Sequence, residues 1–354
     1  MNNMEYRNWV NSKMNIGQEI LYLSMQDVMD TGITVEEIID LTEKAMVEYS
    51  SRNVEMPAKI GLHPQPDSLM HAMPAYLPSE FACGIKWGSN FPTNRERFPD
   101  VTPTNCQIIY NDHESGLPLA ILDATWITEV RTPAVSLVAA KYLANTDSTT
   151  FGMIGCGIQG MAHVKMIERI LQPEKIYIYD VFEPAMDKLI ELCQPQVKAK
   201  ILKASSYEEV AKQSEVIVSA IPIHHHPKPV VKDDWISQGQ TLITCDCHSV
   251  YEDNVYKRAD IYTVDSIEQH KLLETYGYYP WGLPKIYSET GAVAGGLKNG
   301  RTSKNQLIVS NNVGMAVEDI MVARRVFDIA LGKDLGIRLP IWKSTKEPLN
   351  ISNR

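Results

Sequence analysis

Hydrophobic and polar positions alternate in two different ways along the chain. Near its start, an apolar run at 19–24 predicts a strand, and a helical pattern follows from Thr34, whose hydroxyl can cap the helix. Between residues 59 and 123 the pattern changes to short extended runs broken by Pro, Gly and Asn. Two of these runs, 108–110 and 119–122, flank a polar turn, which predicts a hairpin in an antiparallel sheet.

From about residue 149 the chain alternates between strands and helices. The predicted strands are 150–154, 175–180, 216–220, 241–244 and 261–264. Such alternation predicts a parallel sheet with helices on both faces. A long amphipathic helix is predicted after about Asn311, with Gly332 as its stop, and we place it back on the first domain. The polar tail from Lys343 is expected to fray.

These patterns predict an α/β protein with two domains. Residues 146–310 form a Rossmann-type domain, and residues 1–145 and 311–354 form a discontinuous α+β domain. The length of 354 residues agrees with two domains of about 150 residues each. With 44% hydrophobic and 22% charged residues, the composition is that of an ordinary globular protein.

The charge balance restricts the class of partner. Acidic residues number 43 against 34 basic ones, for a formal charge of -9, which argues against binding to nucleic acid or to an anionic membrane. The first residues contain no apolar core of signal-peptide length, and no stretch approaches ~18 uninterrupted apolar residues. We therefore expect a cytoplasmic protein that acts on a small molecule.

Six scattered cysteines favour reduced thiols over disulfides. Cys245 and Cys247 are followed by His248, but no second ligand pair stands at zinc-finger or zinc-ribbon spacing, so no metal site is predicted. The three histidines at 224–226 follow a predicted strand. Consecutive side chains point in different directions, which favours a solvated loop near a cofactor over a metal site.

A glycine-rich turn follows the first strand of the predicted parallel sheet. Gly155 allows the tight turn, Gly157 lets the backbone approach a pyrophosphate, and Gly160 opens the next helix, whose N-terminal amides favour an anion. Ile158 and Gln159 lie within this turn and complete the predicted phosphate-binding segment.

The next strand ends at Asp180. An acidic side chain at this place accepts hydrogen bonds from the adenosine ribose diol and repels a 2'-phosphate. The glycine turn and Asp180 together predict a dinucleotide site that prefers NAD to NADP.

Three cations in the first domain stand near apolar or glycine-containing segments: Lys59, Lys86 and Arg131. With the glycine turn and the segments 73–76 and 313–319, they resemble the ornithine cyclodeaminase/μ-crystallin family. The resemblance extends from about residue 20 to 332, and its motifs occur in the family's order.

The resemblance implies that the first domain binds substrate and forms a homodimer, while the Rossmann domain holds NAD. Lys86 and Arg131 match the family's carboxylate-binding cations, and charge-assisted partners of this kind suit an amino or imino acid. Lys59 falls where many members have an arginine. Thr132 matches a position beside the cofactor phosphates.

Asp246 follows a strand and matches the family's catalytic aspartate, with Glu252 six residues later. An amine loses a proton before a hydride leaves its α-carbon, and a carboxylate near C4 of nicotinamide is a suitable acid or base. Asp246, together with Lys86, is therefore predicted to be catalytic; the structural alternative for Asp246 is a turn or cap residue.

Two departures from the family pattern bear on the substrate. His71 stands where ornithine cyclodeaminases carry a glutamate for the distal ammonium of ornithine, and histidine supplies no fixed negative charge. Val250 replaces a polar or basic residue of the catalytic loop. Both departures favour a reductase or dehydrogenase over a lyase.

The predicted function is hydride transfer between NAD and the α-carbon of a small amino or imino acid. Lys59, Lys86 and Arg131 are predicted to bind the carboxylate, with His71 at the substrate and Asp246 moving the proton. Two alternatives stay open: a cyclodeaminase that uses NAD catalytically and releases ammonia, and a crystallin-like protein that binds nucleotide and small ligands without catalysis.

Overall fold

The computed structural model describes residues 2–65, 68–98, 100–223 and 227–341. The strands are β1 (Glu19–Leu23), β2 (Ile60–Leu62), β3 (Leu69–Leu77), β4 (Ala82–Asn90), β5 (Thr104–Asn111), β6 (Pro118–Asp123), β7 (Thr150–Ile154), β8 (Lys175–Tyr179), β9 (Lys200–Lys203), β10 (Val216–Ser219), β11 (Thr241–Thr244), β12 (Ile261–Val264), β13 (Ser288–Glu289), β14 (Ile308–Asn311) and β15 (Ile337–Pro340). The α-helices are α1 (Asn3–Lys13), α2 (Met25–Asp30), α3 (Val35–Ser50), α4 (Asn94–Arg97), α5 (Thr125–Leu143), α6 (Ile158–Met166), α7 (Glu183–Cys193), α8 (Tyr207–Gln213), α9 (Asp253–Lys257), α10 (Ile267–Thr275), α11 (Thr290–Ala294) and α12 (Ala316–Lys333).

The chain divides into two compact units. The first comprises Met1–Ile33, Glu55–Ile127 and Asp319–Arg354, and the second comprises Thr34–Val54 and Thr128–Glu318. The predicted boundaries differ from this division, because they assign all of α3 and α5 to the first domain, whereas α3 and most of α5 lie in the second unit. A close approach explains where α3 lies: Gly291 of α11 rests directly on the Met46 carbonyl, with no room for a side chain. The division by function stays a prediction.

The first unit contains a seven-stranded sheet in the order β15-β1-β6-β5-β4-β3-β2. The predicted hairpin is confirmed, because β5 and β6 pair antiparallel. The antiparallel sheet predicted within residues 59–123 is also confirmed, since β2 to β6 pair antiparallel, whereas β1 joins this sheet parallel to β6. Residues of α12 cover one face, where Phe327 packs on Tyr110 with ring centroids 5.2 Å apart and Ile320 approaches Gly84.

The second unit contains an eight-stranded sheet in the order β13-β12-β14-β11-β10-β7-β8-β9. Every neighbouring pair is parallel, as the alternating pattern predicts. The order reverses between β7 and β10, and a crevice for ligands lies at such a switch point in open α/β sheets.

Three strands of this sheet are missing from the sequence prediction, and one of them, β14, is central. It lies between β11 and β12, where all four of its residues are buried. A strand whose four residues are all buried shows no alternation of hydrophobic and polar residues, so the sequence pattern does not reveal it. The long helix predicted to begin after Asn311 is instead preceded by β14 and begins at Ala316, and it passes the predicted stop at Gly332.

Helix α1 is also absent from the prediction, although its cap is readable in the sequence. The Asn2 side chain accepts from the Glu5 amide, and Glu5 accepts from the Asn2 amide in return. The predicted cap at Thr34 is confirmed by its hydrogen bond from the Glu37 amide. Among the described residues, no helix is both long and apolar enough to span a membrane. The cytoplasmic location stays a prediction.

Candidate active site

The glycine turn between β7 and α6 has the conformation that its sequence predicts. Gly155 has a φ of +95°, and a side chain there would lie 2.6 Å from the Ala220 carbonyl at the end of β10. A side chain at Gly160 would collide with the Gly155 carbonyl. Around Gly157, the N-cap of α6, the space is open. The backbone therefore forms an accessible cradle at a helix N-terminus, which fits the pyrophosphate of a dinucleotide.

Asp180 holds this cradle from the end of the next strand. Its carboxylate accepts hydrogen bonds from the Cys156 amide at 2.8 Å and the Phe182 amide at 2.9 Å. Within α6, Ile158 is 39% exposed. The side-chain amide of Gln159 donates to the Thr128 carbonyl of α5 at 3.5 Å. The half-buried position of Asp180 leaves it accessible to a ribose.

Asp246 lies directly beyond β11 and is completely buried. Its Oδ2 accepts the Ile221 amide at 3.2 Å, and the neighbouring Ala220 carbonyl lies against Gly155. Asp246 thus belongs to the same end of the sheet as the glycine cradle. Its Oδ1 has no hydrogen-bond partner among the described residues. Burial raises the pKa of this carboxyl to about 7, although the Ile221 amide and the nearby Ser219 hydroxyl act in the opposite direction.

The residues that follow Asp246 form a tight buried loop. Cys247 has a φ of +55°, which non-glycine residues rarely adopt, and its carbonyl accepts the Tyr256 hydroxyl at 3.2 Å. His248 stacks on Tyr256 with centroids 4.0 Å apart, and burial lowers its pKa to about 3. The aspartate is therefore held in a loop whose backbone and rings are fixed on both sides.

A small cavity of about 60 Å³ lies beside Arg131. Its walls are Arg131, Thr132, Val135, Cys245, Asn312, Val313 and Gly314. Arg131 is 6% exposed, and its guanidinium donates to Glu318 at 3.2 Å. A cavity of this size holds about two water molecules. It is wide enough for a carboxylate group that the forked guanidinium can bind.

A buried hydrogen-bond chain connects this cavity to α6. His163 donates from Nδ1 to the Gln159 carbonyl at 2.7 Å, so its Nε2 accepts from the Ser136 hydroxyl at 2.9 Å. Ser136 in turn lies 3.5 Å from the Cys245 thiol. Burial lowers the pKa of His163 to about 4 and keeps the ring neutral. The sequence analysis missed this chain, because three separate elements supply its members.

The remaining predicted cations lie in the first unit. Lys86 of β4 is 2% exposed, and its Nζ lies 2.6 Å from the Asp319 carboxylate. His71 of β3 lies on the same face of the sheet, since Met73 is the register partner of Lys86 and alternate residues of a strand share a face. Burial, together with the charges of Lys59, His63 and Lys86, lowers the pKa of His71 to about 3.

Other residues from the sequence analysis lie apart from these groups or outside the structure. Glu252 is exposed and accepts the Asp233 amide at 2.9 Å. Val250 is completely buried. The histidines at 224–226 and the tail from Lys343 lie outside the described residues. Among the described residues, no group of three or more His, Cys, Asp or Glu side chains is placed to hold a metal ion.

Comparison with known proteins identifies the family. The model of the ornithine cyclodeaminase/mu-crystallin family matches residues 19–334. The chain belongs to this family. It is 32% identical over 337 residues to alanine dehydrogenase of Archaeoglobus fulgidus, covering 92% of this chain and 99% of that protein. It is 26% identical to N-((2S)-2-amino-2-carboxyethyl)-L-glutamate dehydrogenase of Staphylococcus aureus, covering 92% and 100%.

Solved structures of the same fold include two with a bound nicotinamide nucleotide. An archaeal alanine dehydrogenase dimer with NAD has a TM-score of 0.81 and 28% identity, covering 92% of this chain and 100% of that one. Δ1-pyrroline-2-carboxylate reductase of Thermococcus litoralis, in complex with NADH and L-proline, has a TM-score of 0.81 and 25% identity, covering 90% and 99%. The Rossmann-type fold class of the sequence analysis is confirmed.

Proposed function

We propose that this member of the ornithine cyclodeaminase/mu-crystallin family is an NAD-dependent oxidoreductase of small amino or imino acids. The observation that carries the proposal is Asp246, a buried carboxyl with an unpartnered oxygen at the same sheet end as the glycine cradle. The dehydrogenase and reductase relatives support this reaction class.

In this proposal the cofactor is held by the second unit. The amides of the turn from Gly155 to Gly160 bind the pyrophosphate, with Ile158 and Gln159 in the first turn of α6. Asp180 binds the adenosine ribose, and Thr132 lies beside the phosphates. Bound NAD supplies the acceptor or donor of hydride at C4 of its nicotinamide.

Asp246 holds or releases the proton that the nitrogen of the substrate must lose or gain. A pKa of about 7 gives this carboxyl both protonation states near neutral pH, which suits a general acid or base. The buried loop from Cys245 to Ser249 fixes its position. Because Oδ1 accepts no hydrogen bond from the described residues, it is the oxygen assigned to the substrate.

Arg131 binds the substrate carboxylate in this proposal. Its guanidinium lines the cavity, and the NH1 bond to Glu318 fixes its position there. The family resemblance assigns the same carboxylate to Lys86 and Lys59, and places His71 near the substrate. These three residues belong to the first unit.

His71 favours a reductase or dehydrogenase over a cyclodeaminase. Ornithine and lysine, the diamino acids expected for a cyclodeaminase, carry a distal ammonium. A neutral His71 near Lys59, His63 and Lys86 offers no negative charge for such a group. A cyclodeaminase activity is therefore the second candidate, and crystallin-like binding without catalysis is the third.

One assay separates the three functions. NADH absorbance is followed with a panel of 2-oxo acids plus ammonia or methylamine, starting with pyruvate, and ammonia release is measured from ornithine and lysine. Net NADH consumption is the expected result. Ammonia release without a net change in NADH would establish a cyclodeaminase instead, and tight nucleotide binding with neither signal would establish a binding protein.

We further propose that the protein is a homodimer through its first unit. One face of the seven-stranded sheet exposes large apolar side chains on several strands, namely Tyr22, Ile60, Trp87 and Ile109. Apolar faces of this kind mark interfaces, and the archaeal alanine dehydrogenase is a dimer. Light scattering should give twice the 39.8 kDa of one chain. Ile109→Glu should give monomers, and a wild-type monomer at micromolar concentration would refute the proposal.

A further inference from the structure

Asp265, at the end of β12, is a buried carboxylate to which four donors converge. Its Oδ2 accepts the amides of Val313 and Gly314, each at 2.6 Å. Its Oδ1 accepts the Ser266 amide at 2.8 Å and His270 Nε2 at 3.0 Å. Asp265 is 0% exposed, so these donors stand in for water. The carboxylate therefore joins the strand end to the turn that precedes α12.

His270 and Tyr279 extend this arrangement away from the turn. Both are buried, and the Tyr279 hydroxyl is hydrogen-bonded to His270 Nδ1. A carboxylate only accepts hydrogen bonds, so Nε2 of His270 donates to Asp265. Tyr279, His270 and Asp265 thus form a buried hydrogen-bonded chain, here called the Asp265 relay.

The turn held by the relay supports the Arg131 guanidinium. Gly314 has a φ of +82°, and a side chain there would lie 2.5 Å from NH1 of Arg131. On the far side of the turn, Glu318 accepts both the Met315 amide at 3.0 Å and Arg131 NH1 at 3.2 Å. The guanidinium therefore rests on a backbone surface whose position depends on Asp265 at one end and Glu318 at the other.

We infer that Asp265, His270 and Tyr279 are positioning residues for the substrate carboxylate, acting through the Val313–Gly314 turn on Arg131. This inference rests on the proposed function, in which Arg131 binds that carboxylate. Tyr279 also packs edge-on against His248 of the loop that holds Asp246, with ring centroids 4.6 Å apart. The hydrogen bonds of the relay end on the Val313–Gly314 turn, so a defect in them should weaken carboxylate binding more than nucleotide binding or proton transfer.

The test compares substitutions that break or preserve the donor to Asp265. His270→Leu removes the donor, and the KM for the 2-oxo acid should rise about tenfold with kcat changed less than about threefold. His270→Gln retains an amide N–H that can donate to Asp265, and its KM should stay within about threefold of the wild type. Tyr279→Phe should raise KM by a smaller factor. Tyr278→Phe is the matched control, because Tyr278 packs in the same cluster as Tyr279, whose hydroxyl is bonded to His270.

Two further measurements separate positioning from general damage. Fluorescence titration should give an unchanged Kd for NADH in every variant. Deuterium exchange at the Val313 and Gly314 amides should be faster in His270→Leu and close to wild type in His270→Gln. Unchanged exchange in His270→Leu would overturn the inference, and so would faster exchange with an unchanged KM or an equal rise in KM for the leucine and glutamine variants.

If the proposed function is wrong, the wild type alone shows it, because it turns over none of the 2-oxo acids in the panel. In that case the Kd for pyruvate of the NAD-loaded protein, measured by calorimetry, is compared between variants in place of KM. Weaker binding in His270→Leu with retention in His270→Gln would still support the relay. A wild-type protein that binds no carboxylate would overturn both proposals.

Discussion

Two loops at the same end of the parallel sheet carry a buried aspartate, and they use it in opposite ways. Asp265, after β12, has both carboxylate oxygens engaged by four donors. Asp246, after β11, has one backbone donor and one unpartnered oxygen. Both side chains are 0% exposed. Burial alone therefore does not distinguish the two carboxyls. The candidate for acid/base chemistry is Asp246, because it is buried and its hydrogen bonding is incomplete.

The strongest test of this comparison substitutes each aspartate by asparagine. Asp246→Asn retains the volume of the side chain and loses the acid, so kcat should fall about 10²-fold or more. The Kd for NADH should be unchanged, because the glycine turn and Asp180 are untouched. Stopped-flow and steady-state measurements with the substrate found in the panel would check this, and near-normal turnover would remove Asp246 from the proposed mechanism.

The matched substitution, Asp265→Asn, should act on stability instead. An amide cannot accept from Ser266, His270 and the 313–314 turn together, so donors that are now satisfied would lose their partner. Breaking such a buried charged network costs roughly 3 kcal/mol. Urea unfolding should show this loss, whereas Asp246→Asn should unfold at a higher urea concentration than Asp265→Asn. Equal stabilities would contradict the comparison.

The second prediction concerns pH and follows from the raised pKa of Asp246, about 7 against an ordinary value of 3.8. Between about pH 4 and pH 7 the folded state binds a proton that the unfolded state has released, so stability falls as pH rises through this window. The loss should reach on the order of 2–4 kcal/mol at pH 8. Nucleotide-free wild type should therefore lose more stability from pH 5 to pH 8 than Asp246→Asn.

The measurement is urea unfolding at both pH values for the two proteins. The difference between them isolates Asp246, since all other titrating groups are shared. If the two proteins lose equal stability between pH 5 and pH 8, the Asp246 carboxyl is ionised in the folded state at pH 5, and the physical basis for its acid/base role disappears.

The sequence predicts the nucleotide cradle and Asp180 because their signals are local, whereas Asp246 is identified through the family resemblance. A glycine turn, a strand and a terminal aspartate occur within about 30 residues, and the period of the pattern places each of them at a strand end. The parallel sheet follows from the same alternation. These features need no knowledge of which distant segments meet.

The Asp265 relay lacks any such signal. Asp265 meets its amide donors in the turn 48 and 49 residues away, and Arg131 meets Glu318 at a separation of 187 residues. Strand β14, which brings the turn to this place, is too short to show a period. Contacts of this kind are set by the packing of elements that are far apart in sequence, so residue patterns do not reveal them. The same reason explains why α3 groups with the parallel sheet.

The third prediction tests Arg131, which rests on the turn that Asp265 holds. Arg131→Lys retains the positive charge and loses the planar fork, so the KM for the 2-oxo acid should rise about tenfold while kcat falls less. Lys141→Arg, on the same helix α5, is a control for a lysine–arginine exchange away from the cavity. An unchanged KM for Arg131→Lys would show that the carboxylate binds elsewhere.

The smallest effect is expected at Asp180, a third aspartate at a strand end, which is only half-buried. It accepts the Cys156 and Phe182 amides, so Asp180→Ala should weaken the binding of both NADH and NADPH somewhat. The informative quantity is the ratio of the Kd for NADPH to the Kd for NADH. Wild type should bind NADH at least several-fold more tightly than NADPH, and the substitution should narrow this gap, because it removes the ribose hydrogen bonds and the repulsion of a 2'-phosphate together. Asp187→Ala, on α7, changes the net charge equally and should leave the ratio unchanged. Equal affinities of the wild type for the two nucleotides would refute the assignment of Asp180 to the ribose.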